Sequence, residues 1–367
     1  MKEYLNVNWE DGMKINKTHL IHNDRVRDYL FRKTTKALLK SFEFGLFPNN
    51  LYKDISNIYI EDSFIVLKHC RAITRSGTLI DIGQNHQLKF NLKNISGTEL
   101  EGVDTLLVVI SVDPLESKPF GDPLPEELPP RQPYAQPKIK MTLVQESSVQ
   151  TVQFSNQFTI VGAVTNTNGN YLVDENYIPP SSQVIAHPTL INRYLELQKS
   201  ISEIGMNATQ VVQRARAKKR RGEINDLAEN TFYLMEKIVF FLAQYMNHIR
   251  TIYKEESPIY FISFLNSFGR IILTALNCLK SEDREALLRY YESHLGLKAH
   301  QFEDEMKGLS QIEYNHLRLN EVFAQADEYL GTIRTFVSKA THLEFHSVER
   351  VDVVRENTVK KSKLDIF

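Results

Sequence analysis

The chain has 367 residues, 42% of them hydrophobic and 24% charged, with 44 basic against 45 acidic side chains and a formal net charge of -1. Such a balance excludes a global attraction to nucleic acid or to an anionic membrane, and the length predicts two or three cores rather than one. Two cysteines, Cys70 and Cys278, are too few for a disulfide framework or a cysteine-based zinc site, and they read as buried thiols. Glu3, Glu10 and Asp11 interrupt the N-terminal segment, which does not read as a secretory signal. The most apolar stretch, 258–279, is broken by Asn266, Ser267, Gly269 and Arg270 and is not expected to insert into a membrane.

The chain opens with its only tryptophan in Trp9-Glu10-Asp11-Gly12-Met13, followed by Ile15, His19-Leu20 and Asp24-Arg25. A large aromatic in a polar segment either anchors that segment or enters a partner's pocket, and Gly12 is free to turn the chain at positive φ. From about Lys17 to Ser41 the composition predicts a helix, with Leu30, Ala37, Leu38 and Phe42 on one face. The rest of 1–182 reads as strands. Asn57–Glu61 and Lys138–Val144 alternate polar and apolar residues. Phe64–Leu67, Leu106–Ile110 and Ile160-Val161 are β-branched or apolar runs. Turn signals at Arg75-Ser76-Gly77, Ser96-Gly97-Thr98 and 166–170 separate them, predicting a β-sandwich shell. Eight of the 13 prolines fall in 114–137, which excludes a central strand or a helix and predicts a long loop or arm, with Phe120 and Tyr134 available for docking.

Residues 183–342 read as helices, giving an α+β chain with a helical bundle after the shell. Leu190, Tyr194, Leu197, Ile201, Ile204, Ala208, Val211 and Ala215 recur in alternating steps of four and three, a heptad seam. A second seam runs Ile224, Ala228, Thr231, Met235, Ile238, Leu242, Tyr245, Ile249 and Ile252, with Gly222 as the break between the two helices. Pro258 starts a third helix, apolar on more than one face, and Ser281-Glu282-Asp283-Arg284 caps a shorter one ending near Gly296. Leu319, Phe323, Ala326, Leu330, Ile333, Val337 and Ala340 form the last seam. Three seams serve equally an intramolecular bundle or one that continues across subunits. Residues 343–367 read as one short strand, at 346–354, and a tail.

No glycine-rich phosphate loop, nucleophile elbow or other catalytic motif is present, so the sequence predicts neither an enzyme nor a cofactor. The pairs His342/His346 and His19/His22 have helical spacing but lack the glutamate of a zinc-protease helix. The run Arg214, Arg216, Lys218, Lys219, Arg220 and Arg221 is the strongest local charge. No aromatic residues interleave it as a nucleic-acid stacking surface requires, and it ends a helix, where cations are favoured.

The opening motif and the later Tyr177-Ile178-Pro179-Pro180 together resemble the TssK family of type VI secretion baseplate subunits. The family opens with Trp-x-x-Gly-Met-x-Leu-x-Pro-Gln-His-Phe; here Trp9, Gly12, Met13, Ile15, His19, Leu20, Asp24 and Arg25 fall in step, while Lys17 and Thr18 depart from its Pro-Gln. Phe44-Gly45-Leu46 through Gly77–Ile82 resembles its next block, and Tyr177–Pro180, after Tyr171–Asp174, resembles its entry into a helical neck. The resemblance spans most of residues 1–210. It implies a cytoplasmic homotrimer whose shell docks on the wedge subunits TssF and TssG through the N-terminal motif. It implies also that the protein links the baseplate to the membrane complex at the inner face of the envelope, without inserting in the membrane or binding nucleic acid. About 25 residues follow the last helix, too few for the family's head domain. The resemblance is therefore to a short, Bacteroidetes-like variant, which would reach the membrane complex through its bundle tip or tail. A phage-like receptor-binding or tail-adaptor trimer, and a nucleic-acid-binding protein using 214–221, are the alternatives.

Overall fold

The computed structural model describes residues 5–48, 56–83, 87–148, 157–296 and 298–343. After helix α1 (Lys17–Leu38) the chain forms two antiparallel sheets. In the first, β3 (Phe64–Ile73) is the hub. It pairs with β1 (Gly45–Leu46), β2 (Ser56–Glu61), β4 (Leu79–Ile82) and β5 (Leu88–Asn91). The second has the order β7-β6-β8-β9, from β6 (Thr105–Phe120), β7 (Tyr134–Gln145), β8 (Phe158–Thr167) and β9 (Asn170–Val173).

The apolar runs explain the layering. On β6, Leu106, Val108, Ile110 and Val112 face the core shared with Ile65, Leu67, Cys70 and Ile80 of the first sheet. Leu107 and Val109 point the opposite way, joining Phe158, Ile160 and Ala163 beneath Tyr177 and Leu317. A strand covered on both faces needs apolar residues at every position rather than at alternate ones.

The helices are α2 (Pro188–Arg220), α3 (Asp226–Asn247), α4 (Pro258–Asn277), α5 (Ser281–Leu295), α6 (Ala299–Ser310) and α7 (Leu319–Ala340). Their seams meet in one core within a single chain. Leu190, Tyr194, Leu197, Ile201 and Ile204 of α2, Ile238 and Leu242 of α3, Ile249 beyond it, and Leu330 and Ile333 of α7 are all buried there. The Tyr194 hydroxyl donates to the Ile249 carbonyl, and burial raises its pKa. Phe241 stacks on Phe264 and Phe268 of α4 at centroid distances of 5.7 and 5.8 Å. α4 is long and apolar enough to cross a membrane, yet half of its most apolar window is buried in this bundle. Its exposed residues, Ser263, Ser267, Arg270, Thr274 and Asn277, form a polar strip.

Several expectations need correction. The proline-rich stretch 114–137 is not a loop throughout. β6 and β7 run into it and stay paired to Phe120 and Tyr134, leaving a tip of 121–133; the register breaks between Asp113 and Ser117, where an irregularity accommodates Pro114. The face of α1 proposed for Leu30, Ala37 and Leu38 is exposed, and Val26 is the one buried residue of that helix. Ile252 leaves the second seam because a π-helical turn over His248–Ile252 rotates it outward. The residue preceding α5 is Lys280, with no side-chain cap from Ser281. α6 has no counterpart in the sequence reading; its buried Phe302, Met306 and Leu309 span too few turns to declare a helix. Cys278 is exposed, and both thiols are free. The strand and tail expected in 344–367 lie outside the described residues.

Candidate partner-binding surface

The N-terminal motif is ordered by its own short-range bonds. The Met13 amide donates to the Glu10 carbonyl (3.2 Å) around Gly12, whose φ is +79°. Asn16 caps α1, accepting from the His19 amide at 3.2 Å. The segment then folds back along the helix. His22 Nε2 donates to the Leu5 carbonyl (2.7 Å), and Trp9 meets His19 edge-on at 6.3 Å. Asp24 pairs with Arg27 at 2.9 Å rather than with Arg25, which is exposed.

Much of this segment is exposed. Trp9 is 47% exposed, and Leu5, Ile15 and Leu20 are exposed further. Met13 and His19 are half-buried. Along α1, Leu20, Phe31 and Leu38 stand 11 and 7 residues apart, which is three and two helical turns, so they share one outward stripe. The opposite side rests on the turn before β4. A Cβ on Gly77 would lie 2.8 Å from the Arg32 carbonyl oxygen and the Lys36 amide nitrogen. Helical composition foretold α1, but Phe31 carried no signal of its own; only the placement of the helix shows which side faces out.

The second site is the junction between sandwich and bundle, where four segments meet. The Leu46 amide donates to the Pro180 carbonyl (2.7 Å), and the Ser182 amide and hydroxyl both donate to the Leu46 carbonyl (2.8 Å each). Pro179 and Pro180 have no N–H, so this edge accepts without needing partners for donors. Gly45, at φ +103°, is forced: a Cβ there would stand 2.1 Å from the Pro180 carbonyl oxygen. Asn320 at the start of α7 accepts from the Ile178 amide and donates to the Asn176 carbonyl (3.1 Å). Tyr177 is largely buried, and burial pushes its hydroxyl pKa up.

His316 closes the junction from the bundle side. Its Nδ1 accepts from the Tyr314 hydroxyl (2.6 Å) and its Nε2–H donates to the Phe44 carbonyl (2.9 Å), the tautomer that satisfies all three groups. The Arg75 guanidinium lies 4.4 Å over the Phe44 ring, and the His316 ring meets the same ring at 4.5 Å. Burial lowers the His316 pKa to about 4; the Phe44 bond opposes the shift and nearby Arg75 adds to it. Burial alone lowers His187, ahead of Pro188 at the start of α2, to about 4. Ser257 donates to the Phe42 carbonyl (2.8 Å), completing the clamp. Of these residues Phe44, Gly45, Leu46 and 177–180 stood out in the sequence, and Arg75 as part of a turn. His316 and Asn320 lie far from them along the chain, with no motif to link them.

Elsewhere the charged and metal-like features are locally used. Arg216 pairs with Glu236 (2.9 Å) and Lys219 with Glu229 (2.6 Å) across α2 and α3, and Arg221 with Glu223 (3.7 Å) in the turn between them, so half of the basic run is paired locally. His22 is committed to Leu5, and His346 lies outside the described residues. No group of three His, Cys, Asp or Glu poised to hold a metal occurs among the described residues.

The architecture defines a class: a β-sandwich clamped by a diproline junction to a bundle of long helices. Among solved structures this is the fold of TssK. A crystal structure of TssK superposes with a TM-score of 0.53 at 12% identity, covering 90% of this chain and 69% of that one. A chain of the type VI secretion TssK–TssF–TssG baseplate subcomplex, solved by cryo-electron microscopy, superposes at 0.51 and 12% identity, covering 90% of this chain and 99% of the other. No protein-family model matches the sequence. No curated protein matches it either.

Proposed function

We propose that this chain is a structural baseplate subunit of a type VI secretion system, acting without catalysis as a trimer at the cytoplasmic face of the envelope. The observation that carries the reading is the exposed apolar surface of the N-terminal motif and α1, displayed on a TssK fold. A segment that keeps Trp9, Ile15 and Leu20 in water at a cost to its own chain is built to lose that water against a partner. The relative solved by cryo-electron microscopy is a subcomplex of TssK with TssF and TssG, and we assign the counterparts of those two partners to this surface. In this reading 1–182 is the shell, 183–342 the neck and 343–367 a short tail. The junction of Tyr177, Ile178, Pro179 and Pro180 holds shell and neck in one orientation while load passes between them. The membrane complex is met at the bundle tip or the tail.

The seams close inside one chain, so the threefold contacts come from surfaces outside them. The test is co-purification of the full chain with its wedge counterparts, against a chain lacking the first 25 residues. Truncation is expected to abolish the complex while the helical circular-dichroism signal persists. Undiminished binding would remove the interface from this segment.

A further inference from the structure

The far end of the bundle carries charge that its own packing does not use. α2 runs 33 residues from the junction, about 50 Å of helix. It meets the returning α3 through a turn over 221–225. That turn is built rather than frayed. The Gly222 amide donates to the Lys219 carbonyl and the Glu223 amide to the Lys218 carbonyl, both at 3.1 Å, the two bonds of a Schellman cap with Gly222 at φ +72°. Asn225 then caps α3, accepting from the Ala228 amide at 2.9 Å. Half-buried Ile224 and Leu227 pack against the bundle core.

Residues 214–229 hold six basic and three acidic side chains, a net of +3 in a chain whose total is -1. Arg216 and Lys219, three apart, turn toward α3, and Arg216 also lies 5.8 Å over the Phe232 ring. Arg214, Lys218 and Arg221 follow in steps of four and three, so they share a different side of α2. Like charges at these spacings repel and weaken the helix that carries them. Arg214 and Arg220 are exposed and make no ion pair among the described residues. Four of the six cations are arginine, whose planar fork takes a carboxylate through two parallel hydrogen bonds. The apex of the hairpin instead carries exposed Glu223 and Asp226, so a flat anionic membrane met end-on encounters acids first. Among the described residues of 214–229 no large apolar side chain is exposed for insertion into a bilayer. Phe232 is half-buried beneath Arg216 and offers no platform for base stacking.

We propose that the last two turns of α2, from Arg214 to Arg221, are the docking site for an acidic segment of a protein partner. Cations three and four residues apart on a helix are spaced by about 4.5–6 Å along its axis. Carboxylates on one side of a partner helix, or at alternate positions of an extended strand, match that spacing. The proposal deepens the reading above by choosing the tip over the tail as the surface that meets the membrane complex. It rests on that reading for the partner's place in the cell, and on the charges alone for the site.

The test uses the full chain and a fluorescent oligoglutamate peptide, read by anisotropy at low salt, with an oligoserine peptide as control. The acidic peptide is expected to bind, and to be released as salt is raised. Arg214→Gln with Arg220→Gln should weaken it by about tenfold, the worth of two exposed ion pairs. Arg216→Gln, which removes a charge already paired with Glu236, should weaken it by about twofold or less. No peptide binding at low salt, or an unchanged affinity in the Arg214/Arg220 variant, overturns the site. So does stronger binding to phosphatidylserine vesicles or to duplex DNA than to the peptide, which would make the tip a membrane or nucleic-acid surface. Chain mass and wedge binding are measured on the same samples and should be unchanged by these substitutions. A chain that holds the peptide but forms neither trimer nor wedge complex refutes the baseplate reading and leaves the site standing.

Discussion

Gly45→Ala tests the junction most sharply. At φ +103° a side chain costs about 1–2 kcal/mol in backbone strain alone. The new methyl would also lie 2.1 Å from the Pro180 carbonyl oxygen and 2.4 Å from its carbon. Restoring ordinary contact moves the strand by about 1 Å or more. With it move the Leu46–Pro180 and Ser182–Leu46 hydrogen bonds, each worth about 1 kcal/mol net. The total is about 3–5 kcal/mol, at the far end of what single substitutions do. Gly102→Ala is the control, since Gly102 has φ +79° and nothing within 4 Å of a Cβ, so it bears the backbone strain only. Urea unfolding followed by circular dichroism reads both. Gly45→Ala should lower the midpoint well beyond the control, or split the curve as sandwich and bundle come apart. Equal effects would refute the clamp.

Other outcomes follow from the same packing. Gly269→Ala should destabilise the bundle by about 2–3 kcal/mol, because its Cβ would meet α6 backbone at 2.7 Å (Ser310 N) and 2.9 Å (Met306 O); a neutral effect in thermal melts would contradict that close approach. His316 and His187 are both held near pKa 4, below their ordinary 6.5. The unfolded chain therefore binds more protons between those values, and stability present above pH 6.5 is lost as pH falls towards 4, by roughly 3 kcal/mol per group at most. His316→Phe should flatten that slope in unfolding curves measured from pH 7 to 4, and an unaltered slope would show the imidazole is not held neutral. Trp9→Ala should shift the chain's own melting little, as a half-exposed ring in edge contact with His19, yet weaken wedge binding about tenfold or more by titration calorimetry.

What the sequence declared, and what it hid, follows from the physics of each element. Heptad steps are local, so α2, α3 and α7 were legible with their inward residues. Their partners were not, since a seam is identical whether it closes within a chain or across three. The apolar run of β6 signalled a strand, and Leu107 and Val109 gave the further hint of a covered second face. Proline chemistry misled at 114–137: it argues against a regular strand, and the pairing of β6 with β7 that continues there breaks register between Asp113 and Ser117, around Pro114. At the candidate surface, Trp9 and Gly12 were visible as types. The outward stripe of α1 was not, because an amphipathic helix that faces a partner has the same pattern as one that faces its own core. The His316–Phe44 bond joins residues 272 apart, and no local pattern encodes it.

The most direct measurement of the central claim is binding of the purified chain to its co-purified TssF and TssG counterparts, with light scattering on each species. The expected result is a chain mass near three times 42.5 kDa and a stable complex, with Leu20→Asp abolishing the complex but not the trimer. A well-folded chain that forms no complex with those partners, or a complex indifferent to Leu20→Asp and Trp9→Ala together, would contradict it.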